Sequence, residues 1–247
     1  MADHEERIAE ELQANLLPRQ TPRPPGYDLS AFYRPASKVG GDYYDFVEID
    51  ADHLGLLVAD VSATGIPGAI VMTETRALVK SEAVRSPSPA ETLMRVNREL
   101  HKDIKRGMFV TMYYAILDLP KRLLTCVSAG HNPMVLSRKS SKTCHLINPN
   151  GLALGIDKGP LFEKTLQEQQ IELSTGDRFT FYTDGIVEAM NESNEGFGQN
   201  RLYLRLKQLS EEGSPDLLRR LMEEVDRHRG SAPQLDDMAI ITGRFVG

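Results

Sequence analysis

The sequence predicts an α+β fold in which antiparallel sheets carry helices on their outer faces. Short β-type segments occur in two clusters along the chain, and a pair of segments with helical periodicity follows each cluster. Hydrophobic residues make up 40% of the chain and charged residues 26%, as in ordinary globular proteins. At 247 residues the chain can bury one large core, and no break in composition indicates a second domain.

The first segment is predicted to be a short helix followed by a stiff linker. Apolar residues recur at helical spacing within Asp3–Leu17. Pro18 ends this helix because proline fixes φ and lacks an N–H group, and four prolines in Pro18–Gly26 exclude regular structure there. A helix this short needs a partner surface to be stable, which is either its own domain or another segment.

The first cluster of strands is followed by two helices. Leu54–Val61 is a continuous apolar run, which is typical of a strand buried on both faces. Ser88 stands directly before Pro89, a pattern that predicts an N-cap followed by proline in the first helical turn. The predicted strands are Tyr27–Tyr33, Tyr43–Ile49 and Leu54–Val61, and the predicted helices are Gly68–Val84 and Pro89–Lys105.

The second cluster of strands is predicted to be an antiparallel meander, because its short β-type segments are separated by turn residues. Two amphipathic helices and a closing strand follow it. The predicted meander strands are Phe109–Asp118, Arg122–Ser128, Met134–Arg138, Thr143–Ile147, Gln167–Leu173 and Arg178–Thr183. The predicted helices are Asn200–Ser210 and Pro215–Arg229, and the last strand is Met238–Phe245.

Charge, cysteine content and hydropathy exclude several classes of protein. The net charge of -6 disfavours a nucleic acid as partner. Cys126 and Cys144 lie in separate β-type segments without paired spacing, so we expect packing residues rather than zinc ligands or a disulfide. The chain has no apolar run long enough for a membrane span, and its polar start does not match a secretory signal. A cytoplasmic location is therefore expected.

Aspartates recur at the ends of apolar strands or beside glycine. Burying several carboxylates together is unfavourable unless cations neutralise them, so a cluster of these residues would imply a metal site. Oxygen ligands without His or Cys spacing favour Mg²⁺ or Mn²⁺ over zinc. Each aspartate taken singly is better explained as a turn or capping residue, the fourfold recurrence shifts that balance, and convergence of these residues in space does not follow from the sequence. These residues are Asp42, Asp60, Asp184 and the pair Asp236 and Asp237.

Ordered motifs around these aspartates resemble those of the protein phosphatase 2C (PPM) superfamily, and more narrowly its bacterial SpoIIE/RsbU-type branch of stress-response and sporulation phosphatases. Each motif alone is a weak signal, but the set occurs in the expected order from about Leu12 to Phe245. The resemblance implies a sandwich of two antiparallel sheets flanked by helices, with metal ions in a cleft at one edge. The motifs are Gly40-Gly41-Asp42-Tyr43-Tyr44-Asp45-Phe46, Ala59-Asp60-Val61-Ser62, Ser128-Ala129-Gly130-His131-Asn132-Pro133, Tyr182-Thr183-Asp184-Gly185-Ile186 and Asp236-Asp237-Met238.

The resemblance also implies two Mn²⁺ or Mg²⁺ ions and a set of residues around them. Asp60 would bridge both ions, and the backbone carbonyl of Val61 would complete the coordination of one. Asp184 and Asp236 would hold the second ion, while Asp42 would act directly or through bound water. Two such ions about 3.5–4 Å apart lower the pKa of a bridging water that attacks the phosphoryl group. The expected catalytic residues are Asp42, Asp60, Asp184 and Asp236, and the expected metal ligands are these four with Val61 and, in a supporting role, Asp237.

Three features near the motifs bear on the chemistry of the site. The family usually has Gly, a variable residue that is often His or Lys, and Gly after the Asp60 motif, whereas this chain has Ala63-Thr64-Gly65. Thr64 cannot protonate a leaving oxygen as a histidine would, so we expect a lower rate. His131 stands beside a glycine turn, and a hydrogen-bonded turn residue is favoured over a catalytic one. The glycines of Gly151–Gly155 suit tight backbone geometry rather than phosphate binding.

The leading hypothesis is a serine/threonine phosphatase that acts on a phosphorylated bacterial regulatory protein of the anti-anti-sigma-factor type. The alternative is a degenerate phosphatase fold that captures its partner without turnover. The departure at Ala63-Thr64 favours this alternative slightly, and the retained aspartates argue against it. A metal hydrolase for a small phosphoester or phosphodiester would share the same site.

Two parts of the chain are expected to differ in role. Residues 1–20 are predicted to be an N-terminal helix and linker with a regulatory or dimerisation function, and residues 21–247 to be the catalytic domain. The N-terminal helix pairs with its copy in a homodimer or with an upstream sensor segment in this hypothesis. An ordinary helix packed on its own domain is nearly as well supported.

Overall fold

Two five-stranded antiparallel sheets form the centre of the computed structural model, which describes residues 2–247. Its strands are β1 Tyr27–Arg34, β2 Tyr43–Glu48, β3 His53–Val61, β4 Val110–Asp118, β5 Leu123–Ala129, β6 Met134–Arg138, β7 Thr143–Ile147, β8 Gln169–Glu172, β9 Arg178–Tyr182 and β10 Met238–Phe245. Its α-helices are α1 Ala2–Leu16, α2 Gly65–Ala83, α3 Pro89–Asp103, α4 Pro160–Thr165, α5 Gln199–Gln208 and α6 Ser214–Arg229, and Asp184–Ile186 forms a short 3₁₀-helix.

The strand order defines the two sheets. The first sheet has the order β1-β10-β9-β6-β7, and the second has the order β2-β3-β4-β5-β8. Every pairing within them is antiparallel. Strand β3 is an interior strand of the second sheet, and Leu56, Leu57 and Val58 along it are fully buried. The prediction that this strand is buried on both faces is therefore confirmed.

Three apolar layers stack through the molecule. The middle layer lies between the sheets, where Leu56 and Val58 of β3 share one cluster with Phe181 of β9 and Ile241 of β10. An outer layer joins α2 and α3 to the other face of the second sheet. The opposite outer layer joins α5 and α6 to the first sheet. The predicted α+β sandwich of two antiparallel sheets flanked by helices is confirmed.

The predicted single meander is wrong. Strand β5 ends at Ala129, and Gly130 follows with a φ of +68°, which turns the chain away from the second sheet. The hairpin of β6 and β7 then joins the first sheet beside β9, and only β8 returns to pair with β5. Strands of both sheets are buried along most of their length, so the local hydrophobic pattern does not specify which sheet a strand enters.

The predicted helices are all present, but some of them begin or end at different residues than predicted. Ser88 caps α3 by accepting a hydrogen bond from the Glu91 N–H, as predicted. Helix α2 begins at Gly65 rather than Gly68, because Pro67 is compatible with a first helical turn. The six-residue helix α4 was not predicted, since a single turn leaves no periodic pattern. Among residues 2–247, no helix is both long and apolar enough to cross a membrane.

Candidate metal centre

Four strand ends meet at one edge of the sandwich. Asp60 lies near the end of β3, and Asp42 directly precedes β2, which pairs antiparallel with β3 through Tyr43 and Ala59. On the first sheet, Asp184 follows the end of β9 and Asp236 precedes the start of β10, and these two strands are also antiparallel neighbours. Because an antiparallel pair brings the end of one strand beside the start of the next, each sheet contributes two carboxylates to this edge.

Three carboxylates of the first sheet form a compact group. Asp184, Glu188 and Asp236 each place one carboxylate oxygen so that these atoms lie within 4.8 Å of one another. Glu188 reaches the group because its N–H donates to the Asp184 carbonyl at 2.8 Å, in a single turn after β9. Glu188 is not among the site residues predicted from the sequence, although its position four residues after Asp184 is the spacing of one helical turn.

Asp42 and Asp60 belong to the same electrostatic cluster. Asp42 is 1% exposed, and burial followed by the charge of Asp60 raises its pKa well above the ordinary value. Burial, followed by the charges of Asp184 and Asp236, raises the pKa of Asp60 to about 7. Burial also raises the pKa of Asp184, with Glu188 as the next cause, and it raises that of Asp236. The edge therefore concentrates negative charge that the protein alone does not neutralise.

The carboxylate oxygens at this edge fit hard divalent cations. Asp42 Oδ2 and Asp184 Oδ1 are buried without a hydrogen-bond partner. Such an oxygen is costly to bury unless a cation or a donor meets it. The Val61 carbonyl accepts from the Ala63 N–H at 2.6 Å, which leaves one lone pair of its oxygen for another partner. An all-oxygen donor set with unpaired buried carboxylates is the chemistry that Mg²⁺ and Mn²⁺ select.

Asp237 has a different environment from its neighbour Asp236. Its Oδ1 accepts from the Ala36 N–H at 2.7 Å, and its Oδ2 accepts from the N–H groups of Gly41 at 2.7 Å and Asp42 at 3.2 Å. These three bonds fix the backbone that carries Asp42. The arrangement supports a structural role for Asp237 beside a ligand role for Asp236, which remains a prediction.

The loop before β2 has no room for a side chain at Gly40. A Cβ atom at Gly40 would overlap the Asp237 carboxylate and lie 2.6 Å from the Tyr33 hydroxyl. The Tyr33 hydroxyl is itself buried without a hydrogen-bond partner. Burial, followed by the charges of Asp237 and Asp42, raises the pKa of Tyr33 above its ordinary value. Tyr33 was not identified from the sequence, because a tyrosine in a strand looks like any packing residue.

His131 connects the two sheets behind the carboxylates. Its Nε2 lies 3.1 Å from the Tyr182 carbonyl of β9, and its Nδ1 lies 2.8 Å from the Thr111 hydroxyl of β4. Since a carbonyl only accepts, Nε2 carries the proton and Nδ1 accepts from Thr111. Burial lowers the pKa of His131 to about 4, so the ring is neutral at pH 7. This is the geometry of a hydrogen-bonded structural residue.

The two cysteines and Thr64 show no feature of catalytic residues. Cys126 is a free, buried thiol whose pKa is raised by burial to about 11, which disfavours the nucleophilic thiolate. Cys144 is free and half-buried. Thr64 precedes α2 but its side chain makes no capping hydrogen bond.

Comparison with known proteins identifies the family of this fold. The family model of stage II sporulation protein E (SpoIIE) matches residues 50–246. Phosphoserine phosphatase RsbU of Bacillus subtilis is 31% identical over 186 residues, which are 75% of this chain and 54% of RsbU. Protein IcfG of Synechocystis sp. is 24% identical over 260 residues, which cover 94% of this chain and 40% of IcfG. The chain thus spans about half the length of these curated relatives.

A solved structure shares the whole architecture. The SiaA-PP2C domain of Pseudomonas aeruginosa superposes with a TM-score of 0.86 and 22% sequence identity. The match covers 99% of this chain and 97% of that domain. The sandwich is therefore the fold of a PP2C domain.

Proposed function

The chain belongs to the stage II sporulation protein E (SpoIIE) family, and on this basis we propose that it is a metal-dependent serine/threonine protein phosphatase. Its substrate is a phosphoserine or phosphothreonine on a bacterial regulatory protein of the anti-anti-sigma-factor type, in the cytoplasm. RsbU, which is 31% identical, carries the name phosphoserine phosphatase, and this supports the choice of substrate class.

The observation that carries the proposal is the convergence of five carboxylates from both sheets, with buried oxygens left unpaired on Asp42 and Asp184. Charges of one sign are not gathered at a protein edge for stability, because their mutual repulsion and desolvation oppose folding. Perturbed carboxylates in one cleft are instead typical of a catalytic or metal site.

Each residue of the site has a role in this proposal. Asp60 and the Val61 carbonyl would help to hold the two Mn²⁺ or Mg²⁺ ions. Asp184 and Asp236 would also hold metal, and Asp42 would contribute directly or through water. When bound, the ions supply positive charge to the phosphoryl oxygens and lower the pKa of the attacking water. Glu188 offers a further oxygen beside Asp184 and Asp236.

Two side chains near the site bear on how the leaving oxygen is protonated. His131 is held between the sheets in its neutral form, so it does not protonate the leaving serine or threonine oxygen. Thr64 offers no group that titrates near neutral pH. The leaving oxygen therefore takes its proton from water, and we expect a slower reaction than with a histidine in the Thr64 position.

A direct test measures Mn²⁺-dependent hydrolysis of an aryl phosphate and of a phosphoserine peptide. The variants Asp60→Asn and Asp184→Asn should lose activity by orders of magnitude at any Mn²⁺ concentration. Asp216→Asn is the matched control, because this exposed aspartate pairs only with surface arginine near the start of α6. Metal binding by the wild type without hydrolysis of either substrate would support the partner-capturing module instead. A strong preference for the aryl phosphate would support a small-phosphoester hydrolase.

The N-terminal segment has a separate role in the proposal. Residues 1–20 regulate or dimerise the catalytic domain of residues 21–247, with a second copy of the chain as the partner. Helix α1 supports this because Ile8 is 44% exposed and Leu12 is 63% exposed, so apolar side chains face solvent. Light scattering should give a dimer for the full chain and a monomer after deletion of residues 1–17. A full chain that is already monomeric would contradict the dimer.

A further inference from the structure

Gln13 is a buried residue on a largely exposed helix. Although most of α1 faces solvent, the Gln13 side chain is 6% exposed. Its Nε2 donates to the Gly40 carbonyl at 2.7 Å, and the Gly40 N–H donates to its Oε1 at 2.9 Å. Because the carbonyl only accepts and the N–H only donates, the two partners fix the orientation of the Gln13 amide. One side chain therefore satisfies both backbone groups of Gly40.

Gly40 lies beside the edge of the sandwich that carries Asp42, Asp60, Asp184, Glu188 and Asp236, which we call the metal edge. Hydrogen bonds hold this part of the chain from two sides. On one side, Asp237 accepts from the N–H groups of the next two residues, Gly41 and Asp42. On the other side, Gln13 holds Gly40 itself. The short segment from Gly40 to Asp42 is thus fixed between the start of β10 and helix α1. Asp42, which ends this segment, has an unpaired buried carboxylate oxygen.

A second contact joins the same helix to the same loop. Lys38 pairs with Glu6 of α1 at 3.3 Å, two residues before Gly40. Both side chains are partly exposed, so this pair contributes little by itself. The Gln13 bonds are buried and strictly directional, and together with the Asp237 bonds they set the position of the loop.

We propose that Gln13 is a positioning residue for the metal centre, which fixes the backbone of Gly40 and through it the carboxylate of Asp42. The inference rests on the proposed metal site and adds a residue from outside the sandwich to it. Its consequence is that the position of α1 and the affinity of the site for metal are coupled. A displacement of α1 that breaks the Gln13 bonds frees the Asp42 loop, and metal binding favours the docked helix.

The test compares Gln13→Met with the wild type. Methionine has a similar length but offers no N–H donor and no oxygen acceptor. Outer residues that orient metal ligands typically change metal affinity by about 10–100-fold when they are replaced. We expect Mn²⁺ titration calorimetry to give a dissociation constant about 10-fold weaker for Gln13→Met. Hydrogen exchange in the metal-free protein should be faster at the Gly40 amide and unchanged in β9 and β10.

The matched control is Asn15→Ala on the same helix. The Asn15 side chain bonds only to the Glu11 carbonyl and to Arg19, so its loss should leave both Mn²⁺ affinity and Gly40 exchange at wild-type values. Wild-type Mn²⁺ affinity in Gln13→Met would overturn the positioning role while leaving the metal site intact. Absence of Mn²⁺ binding by the wild type would refute the metal site and this inference with it. Faster exchange throughout β9 and β10 in Gln13→Met would also overturn the inference, because it would show general destabilisation.

Discussion

Replacing His131 with glutamine is expected to make the stability of the protein less sensitive to acid. His131 is buried between β4 and β9, and its two ring nitrogens are engaged by the Thr111 hydroxyl and the Tyr182 carbonyl. The neutral ring satisfies both contacts, whereas a protonated ring would place a charge in an apolar setting. The folded state therefore resists protonation of His131, and the unfolded chain does not.

The magnitude follows from the pKa of His131, which burial lowers from 6.5 to about 4. A depressed histidine pKa stabilises the fold fully above pH 6.5, and this stabilisation is lost as the pH falls toward the folded pKa. Within that window the loss is about 1.4 kcal/mol per pH unit. Between pH 7 and pH 5 the free energy of unfolding should therefore decrease by about 2 kcal/mol through His131 alone.

Urea unfolding at pH 7 and pH 5, with EDTA present, measures this decrease. The titrating carboxylates of the metal edge occur in both proteins, so the difference in pH dependence between wild type and His131→Gln isolates the ring. The control His145→Gln removes an exposed histidine and should keep the wild-type dependence. Equal pH dependence in the wild type and His131→Gln would refute the reasoning, because it would show that the folded protein accepts the proton as readily as the unfolded chain.

Three further predictions concern the loop and the sheet. Gly40→Ala should lower the free energy of unfolding by about 1–3 kcal/mol in urea and weaken Mn²⁺ binding in calorimetric titrations. Gly213→Ala, whose added Cβ lies 3.9 Å from the Asp216 carboxylate, should leave Mn²⁺ binding unchanged and lower stability by less than Gly40→Ala, since its only cost is a weaker N-cap of α6. Asp237→Asn should weaken Mn²⁺ binding by about 10–100-fold in the same titration, and unchanged affinity would contradict its supporting role. Arg178→Met should lose about 3 kcal/mol of stability in urea, because the buried Arg178 guanidinium donates to the Ser214 and Thr242 hydroxyls. It should keep its activity per folded molecule, since Arg178 begins β9 whereas Asp184 follows the other end of that strand, and lost activity in fully folded protein would contradict this.

Much of the architecture follows from the sequence because local signals agree with the fold. The apolar run ending at Asp60 predicts a doubly buried strand, and the structure buries it between α2 and the first sheet. Ser88 before Pro89 predicts a capped helix start, and the cap forms. The sequence shows aspartates repeatedly at strand ends, but only the family resemblance indicates that they lie close together in space. Their meeting depends on the antiparallel pairing of β2 with β3 and of β9 with β10.

Other parts could not be predicted, since their cause is not local. The hairpin of β6 and β7 enters the first sheet because of the turn at Gly130, and its own residues carry no signal for that choice. Gln13 looks like a solvated residue of an amphipathic helix, yet its partner Gly40 lies 27 residues away. Glu188 is exposed and follows a short turn, which is common for glutamate on any surface.

The carboxylates at the metal edge have two different roles. One of them fixes the Gly40–Asp42 loop, and the others have oxygen atoms available for metal ions. Asp237 accepts three backbone N–H groups, so its charge is compensated within the protein. Asp42 Oδ2 and Asp184 Oδ1 are buried without partners, and burial and neighbouring carboxylates raise the pKa of both groups despite hydrogen bonds that act in the opposite direction. If all these aspartates served only the fold, each would be expected to gather donors as Asp237 does. The contrast between Asp237 and these two carboxylates is the strongest physical reason to place cations at this edge.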